Sequence, residues 1–188
     1  MTISGKADIA IAGGGLSGVL IAYRLRLTRP DVSVVLVEQG PSLGGNHTWS
    51  FHGADVRAET YQWLSAFIVH CWPRQSVRFP DYERDLETSY CSITSSRLHE
   101  VVAPMLGDRL MLNAPVEAIA ADRITLGNGD VIEAKAVIDA RGAKDSKHLA
   151  LGFQKFVGQE IEFAEPHGVE APVIMDATVP QEDGYRFL

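Results

Sequence analysis

The feature that most constrains this chain is a glycine cluster, Gly13-Gly14-Gly15-Leu16-Ser17-Gly18, set between a short apolar run and a helical repeat. The run, Ala7 to Ala12, carries Ile9 and Ile11 and has the profile of a parallel strand buried on both faces. After the cluster, Leu16, Val19, Leu20, Tyr23 and Leu27 recur at helical spacing until Pro30 and Asp31 stop the pattern. Val32 to Val37 is apolar and β-branched and ends at Glu38. Strand, turn, helix and strand in that order make a right-handed crossover onto a parallel sheet. The pattern G-x-G-x-x-G says little alone; here it follows a strand, opens a helix and precedes an acidic strand end. Gly13 permits the tight turn, Gly15 lets the backbone approach a pyrophosphate, and Gly18 lets helix and strand pack closely. Leu16 and Ser17 complete a first helical turn whose free N–H groups and partial positive charge face the phosphates. Glu38 accepts hydrogen bonds from ribose hydroxyls and repels a 2′-phosphate. A dinucleotide is therefore the expected ligand of the opening segment.

Composition narrows the class. With 188 residues, 46% apolar and 22% charged, the chain reads as an ordinary globular protein of one domain, or a domain and part of another. A net charge of -7 argues against nucleic acid as partner, because a phosphate backbone needs a basic face. Cys71 and Cys91 show no paired spacing and are expected as free thiols in a reducing cytoplasm. No secretory signal stands out, and the most apolar run, Ile9 to Tyr23, is too short and too rich in glycine to span a bilayer. Gly184-Tyr185-Arg186-Phe187-Leu188 reads as a strand just begun, so the chain is expected to be the amino-terminal part of a longer protein.

Beyond Glu38, residues 39–52 read as a loop rich in Gly, Pro, Ser and Asn. Glu59 to Val69 is expected as a helix with Trp63, Leu64, Phe67 and Ile68 on one face, ended by Pro73. Val77 to Phe79 is a weak strand and Tyr90 to Thr94 another. Ser95 or Ser96 can cap a helix over Arg97 to Leu106, with Pro104 as a kink. Pro115 to Ala120 is strand-like, and Gly127-Asn128-Gly129 between Ile124–Leu126 and Val131–Glu133 predicts a hairpin with a type I′ turn. Ala136 to Ile138 is a further buried strand, and 153–163 and 173–179 read as strands of a second layer.

An acidic strand end followed by Gly44-Gly45 resembles FAD-dependent oxidoreductases and their relatives, as does the meander at 115–133 with its returning strand Val137-Ile138-Asp139-Ala140-Arg141-Gly142. That resemblance implies a Rossmann-like α/β domain of the glutathione-reductase type over 1–150. Residues 53–92 are then an excursion toward the substrate layer, and 151–188 begin a truncated β-rich substrate domain. It also implies FAD contacts at Gly45, Asn46, Val116, Asp139 and Gly142, and at Arg97 with a surface arginine as the equal alternative, beside Gly13, Gly15, Leu16, Ser17, Gly18 and Glu38.

Several further strings occur in one order. They are Gly44-Gly45-Asn46-His47-Thr48-Trp49-Ser50-Phe51-His52, Val77-Arg78-Phe79-Pro80, Ile93-Thr94-Ser95-Ser96-Arg97, the Gly152 to Glu160 stretch, Met175 to Gln181 and Gly184 to Phe187. Together they resemble bacterial lycopene β-cyclases of the flavoprotein type over nearly the whole chain. The resemblance implies a non-redox, acid–base closure of the ends of lycopene to β-ionone rings, through γ-carotene to β-carotene. It implies reduced FAD, with NAD(P)H as reductant, and a cytoplasmic enzyme lying peripherally on the inner membrane, where its substrate dissolves.

Asp176 and Glu160 lie in the most family-like segments and are candidate catalytic carboxylates, with structural hydrogen bonding for each, and a catalytic carboxylate beyond Leu188, as the alternatives. His47 and His52 lack a third ligand, and no metal is expected. Trp63, Phe67 and Trp72 read as a core-facing stripe, with polyene or membrane contact as the alternative. Competing functions are a flavoprotein monooxygenase or isoprenoid reductase, which would consume NAD(P)H stoichiometrically, and a non-catalytic FAD-binding module.

Overall fold

A computed structural model describes residues 6–143, 147–152, 158–159, 161–182, 184 and 186–187. Two compact units divide it: the chain up to Phe51 with Asp55–His70 and Cys91–Gly142, and His52–Ala54 with Cys71–Tyr90 and the chain from Ala143. The opening elements are β1 (Ala7–Ala12), α1 (Leu16–Thr28) and β2 (Val34–Val37). Then come β3 (Thr48–His52), α2 (Ala58–Leu64), β4 (Ile68–Trp72), β5 (Gln75–Phe79), β6 (Tyr82–Leu86), β7 (Tyr90–Thr94) and α3 (Ser95–Leu106). The chain continues through β8 (Leu110–Met111), β9 (Val116–Ala120), β10 (Arg123–Leu126), β11 (Val131–Asp139) and β12 (Val173–Asp176).

The main sheet has the order β8-β2-β1-β11-β10-β9, with β8, β2, β1 and β11 parallel and the last two antiparallel. This is the expected Rossmann-like α/β arrangement with its meander. β11 serves both parts. Its residues 131–133 pair with β10, while 134–139 run beside β1. One strand therefore replaces the two short ones expected there.

Side chains alternate across the sheet, as strand geometry requires. Ile11, Val34 and Leu36 pack under the helices with Val19, Leu98 and Val102. Ala10, Ala12, Val35 and Val37 face the other way, against Ile124, Leu126 and Ile132 of the meander. Both faces of β2 are fully buried, so its four residues can all be apolar.

Several local expectations change. The loop 39–52 ends in β3. The helix expected to run to Val69 stops at Leu64, passes through a 3₁₀ turn, and yields to β4. Thr94, not Ser95 or Ser96, caps α3, its Oγ1 accepting from the Arg97 N–H at 3.2 Å. Pro104 lies inside α3, which closes at Gly107. In the 126–130 loop only Gly129 has positive φ, and Asn128 instead accepts from the Asp130 N–H through its side chain, so no type I′ turn forms. Cys71 and Cys91, expected as free thiols, are disulfide-bonded. Of the expected strand 153–163, residues 153–157 and 160 lie outside the described residues, and the rest has no regular structure.

In the second unit β5 is central, parallel to β12 and antiparallel to β6. Among the described residues no helix is long and apolar enough to cross a membrane.

Candidate functional site

The glycine turn sits at the carboxyl ends of β2, β1 and β11, where open α/β sheets bind ligands. The Gly13 N–H donates to the Val37 carbonyl at 2.8 Å, and the Ala140 N–H donates to the Ala12 carbonyl at 2.7 Å. Gly13 has φ of +106°, and a Cβ there would lie 2.7 Å from the Ala140 carbonyl carbon. A Cβ on Gly18 would strike the Gly13 carbonyl oxygen. These two glycines are demanded by the fold itself.

Gly15 is different. A Cβ there would meet nothing within 4 Å, so the chain itself does not require the missing side chain. Gly15 is the N-cap of α1, with no capping side chain and no acidic residue in the first turn. The Val19 N–H bonds to the Gly15 carbonyl at 3.0 Å, leaving the N–H groups of Leu16, Ser17 and Gly18 ahead of it without a helical acceptor. An open cradle, three aimed donors and the positive end of a helix fit a pyrophosphate.

Glu38 lies beside this turn. Its carboxylate accepts from the Gly14 N–H and from the Gly40 N–H, each at 2.7 Å. Each oxygen keeps a further lone pair, so a ribose hydroxyl can still donate to it. Its backbone bonds to Met111 and Ala114, and the latter leads into half-buried Val116 at the start of β9.

Gly45 and Asn46 lie exposed on the loop after Glu38. That loop is tied down on both sides. The Gly44 N–H donates to the Gly14 carbonyl at 2.8 Å, and the Leu43 N–H donates to His99 Nδ1 at 3.2 Å. Ser95 Oγ lies 3.2 Å from the His47 N and 3.0 Å from the His47 carbonyl oxygen. Residues 42–45, 95, 96, 99 and 100 include those lining a cavity of about 260 Å³ on this side. Sequence reasoning missed Leu43, Ser95 and His99 here. Ser95 and His99 stand four apart on α3 and so share a face, which is the signal available in the sequence.

The remaining expected contacts are placed as follows. Arg97 turns its Nε to the Ala66 carbonyl at 2.9 Å, with Glu100 3.6 Å from its Nη1. Asp139 ends β11 beside the glycine turn and holds Arg141 through two side-chain bonds of 2.8 and 2.6 Å. Gly142 follows with φ of +83° and open space where a Cβ would lie. The turn, Glu38, the 43–46 loop and the end of β11 therefore converge.

Asp176 belongs to the second unit, on β12. Its Oδ1 accepts from the Thr178 hydroxyl at 2.5 Å and the Thr178 N–H at 3.0 Å, and Arg78 Nη1 lies 4.0 Å from its other oxygen. The Thr178 donors, with a smaller contribution from Arg78, hold its carboxyl below the usual range, so it is ionised at neutral pH. Glu160 lies outside the described residues. His52 Nδ1 is engaged by the buried Gln75 amide at 2.7 Å. Phe67 is fully buried edge-on to Tyr23 at 4.7 Å, and Trp63 packs nearby under Arg24.

Comparison with known proteins adds an independent line. The family described as lycopene cyclase protein matches residues 8–188. The lycopene β-cyclase of Pantoea ananas is 44% identical over 181 residues, covering 96% of this chain and 47% of the relative. That of Pseudescherichia vulneris is 43% identical with the same coverage. The chain thus spans about half the length of these relatives. Among solved structures, a p-nitrophenol 4-monooxygenase from Pseudomonas putida superposes with a TM-score of 0.56 at 18% identity, covering 75% of this chain and 42% of that one. A probable FAD-dependent monooxygenase from Pseudomonas aeruginosa gives 0.54 at 19% identity, covering 71% and 42%. At these identities the shared property is the fold.

Proposed function

This chain belongs to the lycopene cyclase family, and on that ground we propose that the whole protein is a lycopene β-cyclase that closes the ends of lycopene to β-ionone rings with FAD as cofactor. The observation that carries the cofactor reading is the open cradle at Gly15, beside two glycines that the fold needs for itself. In this reading Leu16, Ser17 and Gly18 donate N–H groups to the pyrophosphate and Glu38 accepts from the adenosine ribose. Gly45, Asn46, Arg97, Val116, Asp139 and Gly142 surround the rest of the dinucleotide.

The reaction adds a proton to the terminal double bond, the internal double bond attacks the tertiary cation, and a proton is lost. No electrons are exchanged, so lycopene and product are isomers. Reduced flavin, kept so by NAD(P)H, would supply negative charge near the developing cation. A cation readily gives its proton even to a weakly basic carboxylate. The ionised Asp176 therefore suits the accepting step and not the donating one. Asp176→Asn is expected to lower turnover and leave FAD affinity unchanged; full turnover in that variant would confine Asp176 to the β12–β5 sheet.

Because lycopene dissolves in lipid, we place the enzyme peripherally on the inner membrane from the cytoplasmic side. The disulfide removes the cysteine argument for a reducing compartment, so this placement rests on the substrate. Expression of the full-length protein in lycopene-accumulating cells is expected to turn red pigment to orange β-carotene. Persistent lycopene beside folded, flavin-loaded protein would contradict the proposal.

A further inference from the structure

We propose that His99 is a positioning residue of the cofactor site, its ring nitrogen fixing the loop after Glu38 in the conformation the dinucleotide meets. The inference rests on the FAD reading above. Three observations carry it. First, the loop holds Gly45 and Asn46, which contribute no buried side chain of their own and so must be placed by what anchors their neighbours. Second, the anchor is Leu43. Its side chain is fully buried, and its Cδ2 stands 2.7 Å from where a Cβ on Gly14 would be, so Leu43 and the glycine turn move together. Third, the Leu43 N–H, which belongs to no helix or strand, donates to His99 Nδ1 at 3.2 Å.

In this hydrogen bond the ring Nδ1 is the acceptor. Ser95, one helical turn earlier on the same face of α3, takes the other end of the loop at His47. There a Cβ on Gly44 would lie 2.7 Å from Ser95 Cβ, so loop and helix are in direct contact. α3 thus grips the loop at two points one turn apart. The Leu43 grip is the one next to the phosphate cradle. Without it the loop regains freedom that FAD must remove on binding, and affinity falls.

The test uses the full-length enzyme and compares wild type, His99→Leu and His99→Asn. Leucine keeps apolar bulk but offers no acceptor; the Asn Oδ1 sits at the same distance along the side chain as His Nδ1. FAD affinity is read from flavin fluorescence, and loop order from hydrogen exchange at the Leu43 amide. H99L is expected to bind FAD about five- to tenfold more weakly, the loss of one ordinary hydrogen bond, with fast Leu43 exchange. H99N is expected within about twofold of wild type, with slow exchange restored. If H99L does not fold, His99→Ser, too short to reach Leu43, replaces it. Equal affinity in H99L and wild type overturns the role of His99, as does an H99N variant as weak as H99L. A wild-type enzyme that binds no FAD overturns the cofactor reading itself.

Discussion

An alanine at Gly18 would drive its methyl group into the Gly13 carbonyl oxygen, and one at Gly13 would set it 2.7 Å from the Ala140 carbonyl carbon. An alanine at Gly15 would meet only open space. The three glycines of one motif are thus separable by experiment. Gly13→Ala and Gly18→Ala should each cost at least about 2 kcal/mol of stability in denaturant unfolding. Gly15→Ala should cost about 1 kcal/mol or less as a change of N-cap, yet weaken FAD binding by about tenfold or more because the methyl occupies the pyrophosphate's approach. A second residue-scale prediction concerns acid. The Lys135 ammonium, 2.7 Å from Asp8, and the Ser33 N–H and hydroxyl hold the Asp8 carboxyl well below the usual range. Its folded pKa is depressed, so its stabilisation is present above the unfolded value near 4 and lost as pH falls through the folded value. Asp8→Asn should melt lower than wild type at pH 7, and the gap should close as pH drops below about 4. A gap that stays constant across that range would show that the charge is not involved.

At the scale of elements, β1, α1 and β2 were legible because each carries a complete local signal: an apolar run, a helical repeat bounded by glycine and proline, and a β-branched run. β6 was not legible, because Tyr82-Glu83-Arg84-Asp85-Leu86 is mostly charged and exposed and becomes a strand only by pairing with β5. β8 has two residues and exists only beside β2. The α2 segment misled because Trp63, Phe67 and Ile68 share helical spacing, yet Ile68 already belongs to β4. The loop anchors Leu43 and His99 were hidden because they are far apart in sequence and meet only when α3 docks. The 3₁₀ turn that follows α2 carries Phe67, which is fully buried against Tyr23. Phe67→Ala should therefore cost roughly 3–5 kcal/mol, read from urea midpoints at unchanged m-value.

At the scale of the whole molecule, the sheet gathers glycine turn, acidic strand end, Gly-Gly loop and the end of β11 on one edge. The family match runs from residue 8 to 188 and so includes all of these parts. The glycine turn and Glu38 were legible from spacing, whereas the Gly-Gly loop and the end of β11 were singled out by resemblance. The ionised state of Asp176 was legible from neither, since it depends on Thr178 and on Arg78 from another strand. What separates a cyclase from the monooxygenases sharing its fold is the fate of protons and electrons. The decisive measurement is the mass of β-carotene formed anaerobically by the full-length enzyme from lycopene in heavy water, with NAD(P)H oxidation followed in the same sample. Acid–base closure predicts one deuterium retained per ring and NAD(P)H consumed only to reduce the flavin. Product without deuterium, or one NAD(P)H oxidised per ring closed, would contradict it.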